Sequence, residues 1–417
     1  MIRVRISTLA LAVLLTPAAI PQWVPQSSGT TASLRGISAA SDSVVWASGT
    51  QGTFLKTLDG GVTWQAGTVD GAGKLDFRGV HAIDARNAYL MSAGLGHQSR
   101  IYRTSDGGAH WQLQHENAQG KGFFDAIAFW DKRRGIVLGD PVDGNFVILT
   151  TTDAGATWLP AGSGAALRAR PGEGAFAASG TCLIVGRGGR AWFATGGPTG
   201  ARVFRSTDWG RTWAAAETPI RHDSASSGIF SLAFRGNNDG IAVGGDYTKP
   251  TEDRDNIAVT HDGGKTWTAP PGTRPAGYRS AVAFIPSSSR AIATGPSGSD
   301  ISTSLGESWK PLASEGYNAL SFSSSRSGWA VGPQGKIARI RLVLPHTSAV
   351  TNPARLNLPR QFEKTLQQLR TLQSERRQLQ ENKPLPTTGF VFSKTDVRQV
   401  SRTNHPPLAP ADAPATP

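Results

Sequence analysis

The chain has 417 residues, and its 49 glycines, 12 tryptophans and low charged fraction of 18% are typical of many short strands joined by turns. Its one cysteine, Cys182, excludes an internal disulfide, and the apolar residues around it predict a buried thiol. The net charge is +13, but residues 1–21 contribute +2 and residues 346–417 contribute +5, so the body between them carries a modest +6.

The first 21 residues are typical of a secretory signal peptide. Arg3 and Arg5 precede an apolar run, residues 6–15, that is too short to span a bilayer, and small residues near position 18 are suited to cleavage. The sequence therefore predicts a signal peptide over residues 1–21 and a periplasmic or secreted mature protein. Export argues against nucleic acid as a partner, although basic residues on the surface could bind an acidic partner of another kind.

A seven-residue motif that ends in tryptophan recurs six times along the body of the chain, and we call each copy an Asp-turn. The tryptophans lie 42 to 55 residues apart and are Trp64, Trp111, Trp158, Trp213, Trp267 and Trp309. A repeat of this length predicts one structural unit per copy. The glycine three residues before each tryptophan predicts a turn with positive φ, and the tryptophan is expected to pack between neighbouring sheets.

In five Asp-turns the second residue is an aspartate that can accept hydrogen bonds from backbone N–H groups within the turn. These residues are Asp59, Asp106, Asp153, Asp208 and Asp262. In the sixth copy Ser304 takes this position, where a hydroxyl makes the same bonds more weakly.

Strand-like runs occur in seven units, although there are only six Asp-turns. The seventh unit ends in "KIARIRL" and lacks an outer strand, whereas Trp23 lies 41 residues before Trp64, a spacing that matches the repeat. The segment around Trp23 can therefore complete the last sheet and leave no open edge. The sequence predicts an all-β fold, a seven-bladed β-propeller of four-stranded sheets over residues 22–345, closed by the N-terminal strand. An open solenoid is the alternative, but it would need capping repeats rather than a split one.

Two inserts, "ATGGPTGAR" and "DYTKPTEDRDN", widen the fourth and the fifth unit, and the tail changes character. In the fourth unit we assign "GAFAAS" to the first strand and "CLIVG" to the second, which places Arg187 and Arg190 in the loop before the third strand. The tail, residues 346–417, contains a helix-prone, glutamine-rich stretch and then a Pro/Ala-rich stretch that is predicted to be disordered. The helical stretch is either a partner-binding segment or a solvated appendage.

The Asp-turns resemble the Asp-box, or BNR, repeats of sialidase-like propellers. Their arrangement over about residues 22–345 looks most like the photosystem II stability/assembly factor family. The resemblance implies a seven-bladed propeller outside the cytoplasm and, in photosynthetic organisms, a chaperone-like role in membrane-complex assembly. In such propellers the Asp-box lies on the face opposite the ligand site, so the resemblance implies a structural role for the five aspartates.

Candidate binding residues lie in the loops that enter the inner strands and in those between the second and third strands, because both sets crowd one mouth of the channel. They are Arg35, Arg78, Asp125, Asp140, Arg190, Asp246, Tyr247, Arg279 and Asp300. Mixed arginines and carboxylates predict a protein partner, or a polar or anionic ligand such as a sugar, at this mouth. The alternative is that these residues form ion pairs along the channel.

An enzyme is the second hypothesis. Hydrolysis of a glycosidic bond usually needs two carboxylates about 5–10 Å apart, and Asp125 and Asp140 enter from the same blade. A sialidase would need a tyrosine–glutamate pair, but Tyr247 and Tyr278 have no evident glutamate partner. No spacing predicts a metal site, and no cofactor is expected.

We therefore predict an exported, monomeric and non-catalytic propeller. It would act as a binding scaffold or assembly factor for a membrane or envelope protein complex. A glycoside hydrolase or sialidase-like enzyme is the alternative.

Overall fold

Seven antiparallel sheets surround a central channel in the computed structural model, which describes residues 20–162 and 167–343. The predicted seven-bladed β-propeller is confirmed. The first strand begins at Ile20, two residues before the predicted start of the propeller, and the last ends at Val343. The rest of the predicted signal peptide and the whole tail lie outside the described residues.

The strands of each blade follow one another from the channel outwards. Blade 1 consists of β2 (Leu34–Ala39), β3 (Val45–Gly49), β4 (Thr53–Thr57) and β5 (Gln65–Thr68). Blade 2 consists of β6 (Asp76–Ala82), β7 (Ala88–Ala93), β8 (Arg100–Thr104) and β9 (Gln112–Glu116). Blade 3 consists of β10 (Phe124–Phe129), β11 (Gly135–Val142), β12 (Asn145–Thr151) and β13 (Leu159–Pro160).

The remaining four blades follow the same order. They consist of β14 (Leu183–Val185), β15 (Ala191–Ala194), β16 (Arg202–Ser206) and β17 (Ala214–Glu217); β18 (Ser227–Arg235), β19 (Asp239–Asp246) and β20 (Ile257–Thr260); β21 (Ala281–Phe284), β22 (Ala291–Gly295), β23 (Gly298–Ser302) and β24 (Trp309–Ala313); and β25 (Ala319–Ser324), β26 (Ser327–Val331), β27 (Ile337–Val343) and β1 (Ile20–Gln26). Short 3₁₀ turns occur at Gly96–Gln98 and Arg187–Gly189.

The first strand of the chain closes the ring. β1 pairs antiparallel with β27, so that Trp23 lies opposite Ile340. The buried Trp23 ring lies 5.2 Å from the ring of Tyr317, and its Nε1–H donates to Ser299 Oγ of blade 6 at 3.2 Å. The predicted closure is therefore confirmed, because β1 covers the edge that the seventh sheet would otherwise expose.

The hydrophobic core is divided among the seven contacts between adjacent blades. Each contact contains Trp23 or the tryptophan of one Asp-turn. Trp111 of blade 2, for example, lies 5.9 Å from Trp46 and 5.1 Å from Phe54 of blade 1. As predicted, the tryptophans pack one repeat against the next, where each ring removes a large apolar surface from water.

The Asp-turns share one set of hydrogen bonds. In blade 3, Asp153 accepts hydrogen bonds from the backbone N–H of Thr157 at 2.9 Å, from Thr157 Oγ1 at 2.7 Å and from Thr151 Oγ1 at 2.7 Å. These bonds, those from Thr157 first, lower the pKa of Asp153 to about 2. The turn glycines have φ between 81° and 94°, as expected, and are Gly61, Gly108, Gly155, Gly210, Gly264 and Gly306.

Blades 4 and 5 differ from the prediction of regular four-stranded sheets. Blade 5 has three strands, and a single bridge between Val259 and Thr268 takes the place of the fourth. In blade 4 the "CLIVG" run contains the inner strand β14 rather than the second strand, which is β15. The assignment failed because an insertion interrupts the inner strand. Gly174 pairs with Gly196 as the strand starts, and pairing resumes only at β14.

The insertion, residues 175–182, crosses the channel, and we call it the plug. Its Phe176 ring stacks on Phe230 of blade 5 at 3.9 Å, and its Ala177 carbonyl accepts a hydrogen bond from Arg78 Nη1 of blade 2 at 3.1 Å. The plug lies between a cavity of about 520 Å³ on the side of the strand-entry loops and one of about 240 Å³ on the side of the Asp-turns. It therefore forms the floor of the channel mouth.

Candidate functional site

The larger cavity opens at the mouth that the sequence predicts as the binding site. Its polar lining includes four of the predicted residues, Arg35, Arg78, Asp125 and Asp140, and the predicted Tyr247 lies at its rim. The four charged residues lie in four different strands, Arg35 in β2, Arg78 in β6, Asp125 in β10 and Asp140 in β11. The ring brings these residues together from three blades.

Asp125 is a fully buried carboxyl group without a partner. Its exposed fraction is 0%, and no described residue makes a hydrogen bond to either of its carboxyl oxygens. Burial above all, and then the nearby Asp140, raise the pKa of Asp125 well above its ordinary value, although Arg78 acts in the opposite direction. The Asp125 carboxyl is thus held toward its neutral form, which can both donate and accept a hydrogen bond.

Asp140 ties the plug to blade 3. Its Oδ1 accepts a hydrogen bond from the backbone N–H of Ala175, in the plug, at 2.9 Å. Burial raises the pKa of Asp140, and the Ala175 bond offsets part of this effect. Two neighbouring carboxyl groups at the mouth are therefore both shifted toward the neutral form.

The two arginines at the mouth differ in how they are held. Arg78 donates from Nε to Asp76 Oδ2 at 2.8 Å as well as to the plug carbonyl of Ala177. Arg35 makes no ion pair with a described residue, and its buried Nε has no described acceptor. Burial first, and then the charge of Arg78, lower the pKa of Arg35. The Arg35 guanidinium is therefore the cation at this mouth that most needs an acceptor from a ligand.

Aromatic rings form the wall opposite these charges. The stacked pair of Phe176 and Phe230 meets Tyr278 edge-on, with 4.7 Å between the Phe230 and Tyr278 ring centroids. Tyr247 lies 6.1 Å from Phe230 and is 52% exposed at the rim. Burial raises the pKa of Tyr278, so it remains a neutral hydroxyl. Both tyrosines are among the residues considered from the sequence, but Phe176 and Phe230 are not, although Phe230 lies in the inner strand β18, whose start faces the mouth.

Three predicted mouth residues are buried in structural interactions and do not line the cavity. Arg279 and Asp300 are each 1% exposed, and Arg279 Nε donates to Asp300 Oδ2 at 2.6 Å. Asp246 is 3% exposed and accepts hydrogen bonds from the backbone N–H and Oγ1 of Thr248. For these three residues, the ion-pair and packing alternative describes the structure.

Arg190 lies at the opposite end of the propeller, which corrects its predicted place. It precedes β15 in the turn that joins β14 to β15, and turns between first and second strands lie at the same end as the Asp-turns. Its carbonyl accepts a hydrogen bond from Trp130 Nε1 of blade 3 at 2.6 Å. The error follows from the misassigned strands of blade 4, since a shift of one strand moves a loop to the other end.

Within residues 20–162 and 167–343, no cluster of three or more His, Cys, Asp or Glu side chains is placed to hold a metal ion. In the same part of the chain, no helix has the length and apolar character needed to cross a membrane.

No protein-family model matches the chain, and no curated protein sequence does. Solved structures are similar to it. "YCF48 bound to D1 peptide" has a TM-score of 0.56 and 16% identity, covering 77% of this chain and 96% of that chain. "YCF48 from Cyanidioschyzon merolae" has a TM-score of 0.53 and 16% identity, covering 78% of this chain and 99% of that chain.

The GH74 enzyme of Niastella koreensis has a TM-score of 0.51 and 14% identity, covering 75% of this chain and 52% of that chain. This chain thus spans about half of the GH74 enzyme. At such identities the likeness establishes a shared propeller fold. Through YCF48 it supports, at the level of the fold, the resemblance to photosystem II assembly factors.

Proposed function

We propose that this protein is an exported, non-catalytic scaffold that binds a segment of a partner protein at the channel mouth and assists the assembly of a membrane or envelope protein complex. The observation that carries the proposal is the mouth cavity, which aromatic rings also line. There the buried Asp125 carboxyl and the buried Nε of the half-buried Arg35 have no partners among the described residues. A propeller of the same fold has been solved with a bound peptide, which supports a protein partner. Export rests on the pattern of residues 1–21.

The chemistry of the cavity favours a polypeptide as the bound group. A buried polar group left unmatched costs about 1–3 kcal/mol, so a suitable ligand offers an acceptor or anion to Arg35 and a hydrogen-bond partner to Asp125. An extended peptide carries N–H and C=O groups along its length, and its apolar side chains can pack on Phe176 and Phe230. A cavity of about 520 Å³ admits a few side chains of such a segment rather than a folded surface.

The test is site-specific crosslinking in cells that make the full chain. A photoreactive amino acid at Tyr247, on the exposed rim, should capture an envelope or membrane protein, identified by mass spectrometry. Arg35→Gln should abolish this capture, whereas Arg235→Gln, at the Asp-turn end, should not. Capture that is independent of Arg35, or of cytoplasmic proteins alone, would overturn the proposal. Matched thermal unfolding of the two variants shows that folding is not the cause.

A glycoside hydrolase remains the second candidate because Asp125 and Asp140 both line the cavity. Hydrolysis needs one of the two carboxyl groups ionised, as nucleophile or base, whereas burial raises the pKa of both. Wild-type protein that releases no sugar from a panel of polysaccharides would remove this candidate. Hydrolysis that disappears in Asp140→Asn would instead replace the scaffold proposal.

A further inference from the structure

Three loops of blades 3 and 4 at the Asp-turn end are strongly basic, and we call them together the basic patch. The loops are residues 130–134, 186–190 and 207–212. They contain six basic and two acidic residues, a net charge of +4, whereas the body of the chain as a whole carries +6. Most of the excess positive charge of the propeller is therefore concentrated in a small part of one end.

Direct contacts join the three loops into one surface. The Nε1–H of Trp130 donates to the Arg190 carbonyl at 2.6 Å, and the backbone N–H of Trp209 donates to the Gly189 carbonyl at 2.8 Å. The Trp130 and Trp209 rings meet edge-on with centroids 5.4 Å apart. The Arg134 guanidinium lies 3.7 Å from the Trp209 ring centroid, stacked over it.

Trp209 adopts an unusual backbone conformation for an aromatic residue, with φ of 67°. The equivalent positions of the other Asp-turns hold smaller or aliphatic residues, namely Gly60, Gly107, Ala154, Gly263 and Leu305. Side chains rarely adopt this left-handed region, and such residues persist where the surroundings hold them. Here Trp209 forms a fixed platform for Arg134, which reduces the entropy that Arg134 would lose on binding a partner.

The acidic residues of the patch leave most of its positive charge uncompensated. Asp131 is paired with Arg134, and Asp208 accepts hydrogen bonds from Thr212 within its own turn. Among the described residues, no carboxylate forms an ion pair with Arg187, Arg190 or Arg211, and Arg187 and Arg211 are exposed.

We propose that the basic patch is a second binding surface, separate from the channel mouth, and that it binds an acidic segment of a partner polypeptide. Charge complementarity selects an anion, because the patch offers stacked and free guanidinium groups. Acidic loops of blade 1 at the same end of the propeller limit how large the anionic partner can be. Loops 40–44 and 58–64 contain Asp42 and Asp59 and no basic residue. A broad anionic surface such as a membrane would lie against these acidic loops as well, whereas a narrow acidic segment need cover only the patch.

The experiment measures binding of a fluorescein-labelled oligoglutamate peptide to the full chain by fluorescence anisotropy, at low and at physiological ionic strength. The double variant Arg187→Glu/Arg211→Glu should weaken binding by about tenfold or more. The control Arg235→Glu/Arg326→Glu makes the same change in net charge at the same end, on blades 5 and 7, and should leave the affinity within about twofold. Arg35→Gln, at the mouth, should have no effect, which separates this proposal from the proposed function.

Two results would overturn the proposal. The first is absent peptide binding, or equal weakening in the patch and control variants, since a non-specific attraction depends only on net charge. The second comes from sedimentation with phosphatidylserine vesicles. Vesicle binding that is lost in the patch variant, while peptide binding is unchanged, would assign the patch to a membrane instead.

Discussion

At the Asp-turn end of the propeller, Asp153 accepts three hydrogen bonds from Thr151 and Thr157, and its pKa falls to about 2. At the channel mouth, Asp125 is buried without a described partner, and burial followed by the charge of Asp140 raises its pKa. The same residue type is therefore stabilised as an anion at one end and disfavoured as an anion at the other.

This difference indicates which end the fold uses for stability and which it reserves for binding. Buried polar groups in folded proteins are normally satisfied, and exceptions concentrate at functional sites. The aspartates of the Asp-turns repeat one hydrogen-bonded arrangement around the ring. At the mouth, by contrast, the Asp125 carboxyl and the Arg35 Nε have no described partner. We expect substitutions of the Asp-turn aspartates to destabilise the protein. Substitutions of the unmatched groups at the mouth should stabilise it while impairing binding.

We expect the greatest loss of stability from Arg279, which lies just before the inner strand β21 at the mouth end but, unlike Arg35, is paired with a buried carboxylate, Asp300. Arg279→Met leaves Asp300 buried and unpaired and should lower the free energy of unfolding by about 3–5 kcal/mol, measured by chemical denaturation. The double variant Arg279→Met/Asp300→Leu removes both charges and should recover most of this loss. A single variant as stable as wild type would show that the pair contributes nothing.

Asp125 provides the direct test of the mouth. Asp125→Asn removes the cost of protonating the carboxyl when the chain folds and should raise the free energy of unfolding by about 1–3 kcal/mol at pH 7. Because the folded pKa is raised, the aspartate is fully tolerated only below its ordinary pKa of 3.8. The gain should therefore vanish as the pH falls below about 4. A gain that is independent of pH would mean that Asp125 is not held neutral.

Asp153, at the Asp-turn end, should show the opposite dependence of the free energy of unfolding on pH. Asp153→Ala should lower the free energy of unfolding by about 1–2 kcal/mol at pH 7, because two threonines lose their acceptor. The folded pKa of about 2 lies below the ordinary 3.8, so this contribution is present above pH 4 and is lost as the pH falls toward 2. Asp253→Ala, an exposed residue without a side-chain hydrogen bond to described residues, is the control and should be neutral. Parallel pH curves for wild type and Asp153→Ala would contradict this assignment.

The regular part of this architecture could be predicted from sequence because its signals are local. A glycine with positive φ, an aspartate within the same turn and a following tryptophan all lie within seven residues, and their spacing counts the blades. Ring closure was also predictable, because the spacing of Trp23 from Trp64 matches the repeat.

The mouth could be predicted only in part, because its properties depend on packing between distant segments. Nothing local distinguishes Arg35, which lacks a described partner, from Arg279, which is paired with Asp300. The plug interrupts the inner strand of blade 4. The spacing of the repeat therefore predicts a complete strand at the plug, and this shift of one strand places Arg190 at the wrong end. Phe176 and Phe230, which meet only because the plug crosses the channel, were missed for the same reason.

Two glycines of blade 4 allow a finer test of whether the Asp-turn end also has a binding role, although their substitution should change stability and affinity only slightly. Gly188 and Gly189 have φ of 71° and 76°, so alanine at either position costs a similar strain of about 1 kcal/mol. A Cβ at Gly189 would lie 2.7 Å from the Trp209 ring, whereas at Gly188 the nearest atom, Arg190 Nη1, is 3.7 Å away. The difference in stability and affinity between Gly189→Ala and Gly188→Ala therefore reports the effect of displacing the Trp209 ring.

We expect Gly189→Ala to unfold more easily than Gly188→Ala by roughly 0.5–1 kcal/mol and to bind the oligoglutamate peptide two- to threefold more weakly, by about the same free energy. Thermal unfolding and anisotropy measure the two effects on the same samples. If stability differs but affinity does not, Trp209 serves packing alone and the position of Arg134 does not matter for binding. If both differ, the strained Trp209 belongs with Asp125 as a place where this propeller gives up stability for recognition.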